Sequence, residues 1–120
     1  MKQITVEILG VKLQAALLSP KVAKKYDEGI KKVVKTADES RRCDSGPEAI
    51  EKQCNAVIGF IDDIFGHGSA KKVLGEETDL LTCLDAWEDI TNMYEKQVNP
   101  IVNKYSDKAK AVLRAVGDKV

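Results

Sequence analysis

The feature that most constrains this chain is an apolar helical pattern from residue 79 to residue 116 with a proline inside it. As one straight helix it would be about 57 Å long at 1.5 Å per residue, whereas a compact domain of this size has a radius of gyration of about 14 Å. Two outcomes are open: Pro100 kinks or ends the helix by clashing with the carbonyl group of Lys96, or the far end packs on another subunit. The apolar positions are Leu80, Leu81, Leu84, Trp87, Ile90, Met93, Tyr94, Val98, Ile101, Val102, Tyr105, Val112, Leu113 and Val116.

The residues before position 43 predict a hairpin followed by a helix. Residues 1–16 alternate apolar and polar side chains on both sides of Gly10, as a half-buried β-hairpin does. Two strands alone are marginal in water, so this hairpin must lie on helices or pair its edge with another chain. Ser19 and Pro20 then begin a helix over residues 19–42, because the hydroxyl can cap and proline needs no donor in the first turn. Its buried stripe is predicted to be Val22, Tyr26, Ile30, Val33, Val34 and Ala37.

A second long helix is predicted over residues 46–65, where Ser45 and Glu48 have the spacing of a capping box. Ser69 is placed to cap a short helix that ends at Leu74. The apolar stripe of the long helix makes it the central core helix. This stripe contains Ile50, Cys54, Val57, Ile58, Ile61, Ile64 and Phe65.

The chain as a whole, residues 1–120, is predicted to be a single, mainly α domain. Its architecture is a helical bundle of three long helices (19–42, 46–65 and 79–116) and one short one, with an N-terminal β-hairpin. Apolar residues make up 43% of the chain and charged residues 32%, which excludes a disordered chain and a membrane-spanning one. The N-terminus lacks the apolar core of a signal peptide, so we expect a cytoplasmic location.

Charge is distributed unevenly along the chain although it sums to zero. Residues 1–43 hold ten Lys or Arg and five Asp or Glu, residues 44–95 hold three and twelve, and residues 96–120 hold six and two. A nucleic-acid-binding protein would present one dominant basic face, so nucleic acid is not the expected partner. Complementary segments of this kind favour contacts with protein, within the fold or between subunits.

The residues that could carry chemistry do not form a convergent set. His67 is the only histidine, and Asp62 and Asp63 point about 100° apart on their helix. Asp85, Glu88 and Asp89 share a helix face that could hold a divalent ion, but a solvated acidic face is the favoured interpretation. We therefore predict no catalytic residues, no cofactor and no metal site, and the protein is not expected to be an enzyme.

Cysteine and glycine spacing points to packing. Cys43, Cys54 and Cys83 match no metal-binding or redox pattern, so Cys54 and Cys83 are predicted to be buried thiols and Cys43 to be exposed. Gly59 lies inside a helix, where glycine is unfavourable, and we expect close helix packing there to compensate.

Four ordered segments carry a resemblance to a known group of proteins. They are Gln53–Cys54, Phe60–Ser69 (FIDDIFGHGS), Lys72–Gly75 (KVLG) and Leu80–Ile90 (LLTCLDAWEDI). The pattern, over roughly residues 50–92, resembles a family of small uncharacterised proteins from the tail-gene modules of phages and prophages of Gram-positive bacteria. The resemblance implies a tail assembly chaperone or a minor tail-region component, and it carries no catalytic residues to transfer.

Two functions from different classes are therefore open. The first is a phage or prophage tail-module protein that binds a partner such as the tape-measure protein, in the host cytoplasm or within a virion tail. The second is a bacterial helical dimerisation or regulatory module without enzymatic activity. In either case we expect self-association, with the hairpin edge as a second contact. The candidate interface residues are Ile101, Val102, Tyr105, Val112, Leu113 and Val116.

Overall fold

The computed structural model describes the backbone of residues 1–117 and the side chains of residues 1–108. The predicted fold class is confirmed: a mainly helical bundle with an antiparallel N-terminal hairpin. The predicted 79–116 helix is present as three consecutive helical segments, the middle one a π-helical turn. In chain order the elements are β1 (Ile4–Ile8), β2 (Val11–Ala15), α1 (Pro20–Ser40), α2 (Gly46–Phe65), α3 (Ser69–Leu74), α4 (Leu80–Thr91), the π turn (Tyr94–Val98) and α5 (Asn99–Gly117).

The hairpin is closed by a two-residue turn and held on the bundle by side chains from far along the chain. Leu9 (φ +50°) and Gly10 (φ +78°) both adopt the left-handed conformation that a tight hairpin turn between Ile8 and Val11 requires. The N–H group of Leu9 donates to Asp89 Oδ2 on α4 at 2.9 Å. Gln97 accepts from the Glu7 N–H at 2.8 Å and donates to the Glu7 carbonyl at 2.9 Å. The outer edge of β1 is therefore occupied at Glu7 by Gln97 of the same chain.

Two of the three predicted serine caps are present. Ser19 Oγ accepts from the Val22 N–H at 3.1 Å, and Ser45 Oγ accepts from the Glu48 N–H at 3.4 Å. The prediction that Ser69 caps α3 is wrong, because Ser69 is the first helical residue and its neighbour Gly68 has no side chain to cap with. Asp62 provides a cap from α2 instead, since its Oδ1 accepts from the Ala70 N–H at 2.8 Å.

Close packing of α1 on α2 occurs at a different glycine from the predicted one. A Cβ atom on Gly29 of α1 would lie 2.7 Å from Phe60 Cδ2 and 2.8 Å from Phe60 Cε2. A Cβ atom on Gly59 would have no neighbour within 4 Å. The expectation of close packing at Gly59 is therefore wrong, because α2 turns Phe60 toward α1 and leaves Gly59 beside open space.

Four aromatic rings link α1, α2, α4 and the π turn at the centre of the bundle. Tyr26 packs edge-on against Phe60 and Tyr94 at centroid distances of 5.5 and 4.6 Å, and Phe60 packs edge-on against Trp87 at 5.4 Å. The hydroxyl groups donate to backbone carbonyls, Tyr26 to Ile90 at 2.5 Å and Tyr94 to Leu17 at 2.6 Å. Burial, with a smaller contribution from Tyr94, raises the pKa of Tyr26 to about 12.

The molecule is much longer than a compact chain of its length. Its principal extents are 70 × 26 × 20 Å and its radius of gyration is 18.1 Å, against about 14 Å for a compact domain. The excess length belongs to α5, which leaves the bundle beyond the π turn. No helix in the described part of the chain has both the length and the apolar composition to cross a bilayer.

Candidate protein-interaction surface

The exit of α5 from the bundle is shaped by the residues just before Pro100. Val98 is fully buried, and the Asn99 N–H donates to the Tyr94 carbonyl, a bond of π-helical rather than α-helical spacing. Proline has no N–H to donate, and its ring clashes with the carbonyl of the fourth residue before it in a regular α-helix. The wider π turn over Tyr94–Val98 directly precedes Pro100, and the helix continues through Pro100 as α5 instead of ending there.

The predicted interface stripe begins at the bundle and then leaves it. Ile101 packs against the core, whereas Val102 is 37% exposed and Tyr105 is 58% exposed. Every residue from Val102 to Lys108 is exposed. The remaining predicted interface residues, Val112, Leu113 and Val116, lie outside the residues whose side chains are described. In the described part of α5, the helix thus carries apolar side chains that the bundle does not cover.

The stripe has an internal repeat that the spacing of its members reveals. Ile101, Val102 and Tyr105 stand at positions i, i+1 and i+4, and the sequence repeats this pattern eleven residues later. A period of 11 residues is about 3.67 residues per turn, close to the 3.6 residues of an α-helical turn. A stripe with this repeat suits lateral packing on another helical surface. The second group is Val112, Leu113 and Val116.

A second unpartnered apolar surface lies at the junction of α1, α2 and α4. It is a groove of about 240 Å³, which we call the α1/α2/α4 groove, and Val34, Ala37, Leu80, Leu84 and Trp87 contribute apolar walls. Val34 is 51% exposed and Leu84 is 45% exposed, although Val34 belongs to the predicted buried stripe of α1 and Leu84 to the apolar pattern of residues 79–116. Those stripes are wider than the neighbouring helices can cover. Their width is the sequence signal for the groove, although sequence reasoning alone did not predict it.

The charges beside this groove differ between its two sides. On the α1 side, Asp38 and Arg41 are within salt-bridge distance of each other at 3.8 Å. On the α4 side, Asp85 and Glu88 are both exposed, and helical spacing puts them in line with Leu81 and Leu84. α4 contains three acidic residues and no basic one. The α4 side of the groove is therefore acidic without a compensating cation on its own helix.

The residues weighed for chemistry are dispersed. His67 is exposed in the loop before α3. Asp63 pairs with Lys25 at 3.3 Å, and Asp62 is used as the α3 cap. Asp89 binds the hairpin turn, so it is not available to act with Asp85 and Glu88. Within the described residues, no three His, Cys, Asp or Glu side chains converge as metal ligands would.

Two of the three cysteines are buried in the core and the third lies at a helix corner. Cys54 and Cys83 are buried as predicted, and burial followed by the adjacent Cys83 thiol raises the pKa of Cys54 to about 11. Cys43 is half-buried rather than exposed, because it lies at the α1–α2 corner with Lys52 Nζ 3.5 Å from its sulfur. The raised pKa keeps the Cys54 thiol protonated, as expected for a packing residue.

A second depression runs along α1 and α2 over Gly59. It encloses about 570 Å³ and is lined by charged and small residues, among them Lys32, Lys52 and Asp63. Its lining is mixed, with charged side chains beside Val33, Ala56 and Phe60, whereas the lining of the α1/α2/α4 groove is mainly apolar. The apolar groove and the exposed stripe of α5 are therefore the surfaces suited to binding protein.

Comparison with known proteins gives one result at the level of family. No curated protein and no solved structure matches the chain. The model of a family of unknown function, DUF6673, matches residues 9–115, which span every element from the hairpin turn to α5. This chain belongs to the DUF6673 family.

Proposed function

We propose that this protein acts by binding other protein chains during the assembly of a phage or prophage tail, as a tail assembly chaperone or a minor tail-region component. Its site of action is the cytoplasm of the host bacterium, with incorporation into the tail as the alternative end point. α5 is the contact element, and the partner is a tape-measure protein or another tail protein. No residue is assigned a catalytic role.

The observation that carries this proposal is the projection of α5 from the bundle with an uncovered apolar stripe. Val102 and Tyr105 are exposed within a helix that has left the core at Ile101. An amphipathic helix gains little by holding an apolar face in water, and exposed apolar patches of this kind mark protein-binding surfaces. A helix offered in this way recognises a groove or another helix by a few apolar anchors.

The resemblance of residues 50–92 to phage tail-module proteins supplies the biological setting of the proposal. In this role the protein binds an extended or coiled-coil partner, such as the tape-measure protein, and keeps the apolar surface of that partner from aggregating. A projecting amphipathic helix of net positive charge suits this role, and α5 contains Lys104, Lys108, Lys110 and Arg114 against Asp107. The setting predicts that tail-tube and tape-measure genes flank the gene for this chain. Their absence would favour the bacterial regulatory module instead.

The test is co-expression with the protein encoded by the neighbouring tape-measure gene. We expect the intact chain to raise the soluble yield of that protein and to co-purify with it. A version that ends at Lys104 keeps Ile101 on the core and should remain folded, but it should lose both effects. If the shortened chain solubilises the partner as well as the intact chain does, α5 is not the contact element and the proposal fails.

A further inference from the structure

We propose that the α1/α2/α4 groove receives residues 105–116 of α5 from a second copy of this chain. The inference rests on the proposed role of α5 as a contact element and adds the surface that it binds. Both halves of the contact are present in one molecule: an apolar groove, and a helix stripe whose described members Val102 and Tyr105 are 37% and 58% exposed, with only Lys2 Nζ and Lys108 Nζ near the Tyr105 ring among the described cations. Pairing these two surfaces between two copies would remove both from water.

The groove is large enough to receive apolar side chains but too small to receive a whole helix. A cavity of about 240 Å³ cannot contain a helix backbone, so an occupant must lie across it and insert apolar side chains. The exposed rims formed by Val34 and Leu84 extend the apolar contact area beyond the cavity itself. Tyr105 is the described anchor of the α5 stripe, and the sequence supplies further apolar residues at the eleven-residue repeat.

The opposite charges of α5 and α4 favour α5 over an uncharged apolar helix as the occupant of the groove. α5 carries four Lys or Arg and one Asp, whereas α4 carries three acidic residues and no Lys or Arg. Asp85 and Glu88 stand beside the groove on α4, where Lys104 and Lys108 of an incoming α5 can face them. Opposite charges of this kind orient the helix and accelerate the encounter of the two chains.

The geometry of the chain directs α5 to a different molecule. The groove lies along the first half of α4, between Leu80 and Trp87, whereas α5 departs from the opposite end of α4 through the π turn. The backbone remains helical from Tyr94 to Gly117, so α5 cannot reverse direction to reach the groove of its own chain. A second copy satisfies both surfaces without breaking a helix.

The experiment mixes two variants, each lacking one half of the contact. Leu84→Lys places a cation in the groove and leaves α5 intact, whereas a chain ending at Lys104 keeps the groove and lacks the docking segment. We expect the intact chain to self-associate and each variant alone to be monomeric, with an affinity loss of about tenfold or more. Mixed together, the two variants should form a heterocomplex, because the α5 of one enters the groove of the other.

Controls separate folding from binding. Leu84 is 45% exposed, so Leu84→Lys should retain the circular dichroism spectrum and unfolding midpoint of the intact chain. Leu18→Lys is the matched control, since Leu18 is 52% exposed and lies outside the groove; it should self-associate like the intact chain.

Three results would overturn the inference in different ways. Self-association of Leu84→Lys at full strength would show that α5 binds elsewhere, for example to another α5, and would leave α5 as a contact element. Absence of a heterocomplex in the mixture, with both variants folded, would show that α5 does not enter the groove. A monomeric intact chain at high concentration would remove the second copy as occupant, while co-expression with the tape-measure protein would still decide the proposed function.

Discussion

At the scale of single residues, two glycines on facing helices are expected to respond in opposite directions to the same substitution. Gly59→Ala should raise the free energy of unfolding by about 0.5–1 kcal/mol, because alanine favours the helix and its Cβ meets nothing within 4 Å. Gly29→Ala should lower it by about 1 kcal/mol net, because its Cβ would overlap the Phe60 ring. Urea unfolding of both variants measures the difference. Stabilisation by both substitutions would mean that Phe60 can move aside.

Tyr26 makes stability depend on alkaline pH. Its pKa is 10.0 in the unfolded chain and about 12 in the fold, so the folded state retains a proton that the unfolded state loses. The stabilisation from its buried hydroxyl is complete below pH 10 and decreases as the pH rises toward 12. Tyr26→Phe should lower stability at neutral pH by about 1 kcal/mol, through the lost bond to Ile90.

The same variant should flatten the decline of stability between pH 10 and 12, although Tyr94, whose pKa is also raised by burial, keeps part of it. Unfolding midpoints measured across this range check the prediction. An unchanged decline in Tyr26→Phe would contradict the assignment to Tyr26.

Single-residue roles were predictable from the sequence only where the partner is local. Ser19 caps α1 and Asp79 caps α4 through N–H groups three residues ahead, and such spacing is visible in the sequence. Asp89 and Gln97 bond to the hairpin 80 and 90 residues away, and no local pattern encodes that distance. The sequence alone therefore predicted that Asp85, Glu88 and Asp89 form a solvated face or an ion site. The structure shows that Asp89 instead accepts a hydrogen bond from the Leu9 N–H.

At the scale of elements, the π turn has a structural role at the hairpin edge. Gln97 bonds to both backbone groups of Glu7, so Gln97→Ala should lower the free energy of unfolding by about 1–2 kcal/mol. The Glu7 amide should then exchange its hydrogen faster. Gln14→Ala is the control, since that amide bonds only to Thr5 across the exposed face of the hairpin and should change stability by less than about 0.5 kcal/mol. Equal effects of the two substitutions would show that Gln97 does not hold the edge.

The helical elements were predictable in type and approximate bounds, whereas their junctions were not. Apolar periodicity and caps place α1 and α2 within two residues of their observed ends. The apolar pattern runs without a break through residues 92–98, where the structure has a π turn. A single π turn shifts the helix by one residue, and this shift is too small to be visible in the spacing of apolar residues. Pro100 signalled an irregularity there, but proline alone does not say whether a helix kinks, ends or widens.

At the scale of the whole molecule, the elongated shape and the two exposed apolar surfaces have the same cause, because the helices of one bundle do not cover all the apolar stripes. The extent of 70 Å comes from a helix that one bundle does not cover, and the α1/α2/α4 groove is a part of the bundle that its own helices do not fill. Sequence periodicity predicted the apolar stripes of α1 and α4 but not the exposure of Val34 and Leu84, because the number of neighbours around a stripe depends on tertiary packing.

The central claim, that the α5 stripe is a contact surface, is tested most directly by sedimentation velocity over a concentration series with two neighbouring substitutions. Tyr105→Asp places a charge on the stripe, whereas Ser106→Asp places the same charge one residue away, about 100° around the helix. Both positions are exposed, so both variants should unfold at the same temperature as the intact chain. We predict that the intact chain and Ser106→Asp self-associate with rising concentration and that Tyr105→Asp stays monomeric. Equal self-association of both variants would contradict the claim.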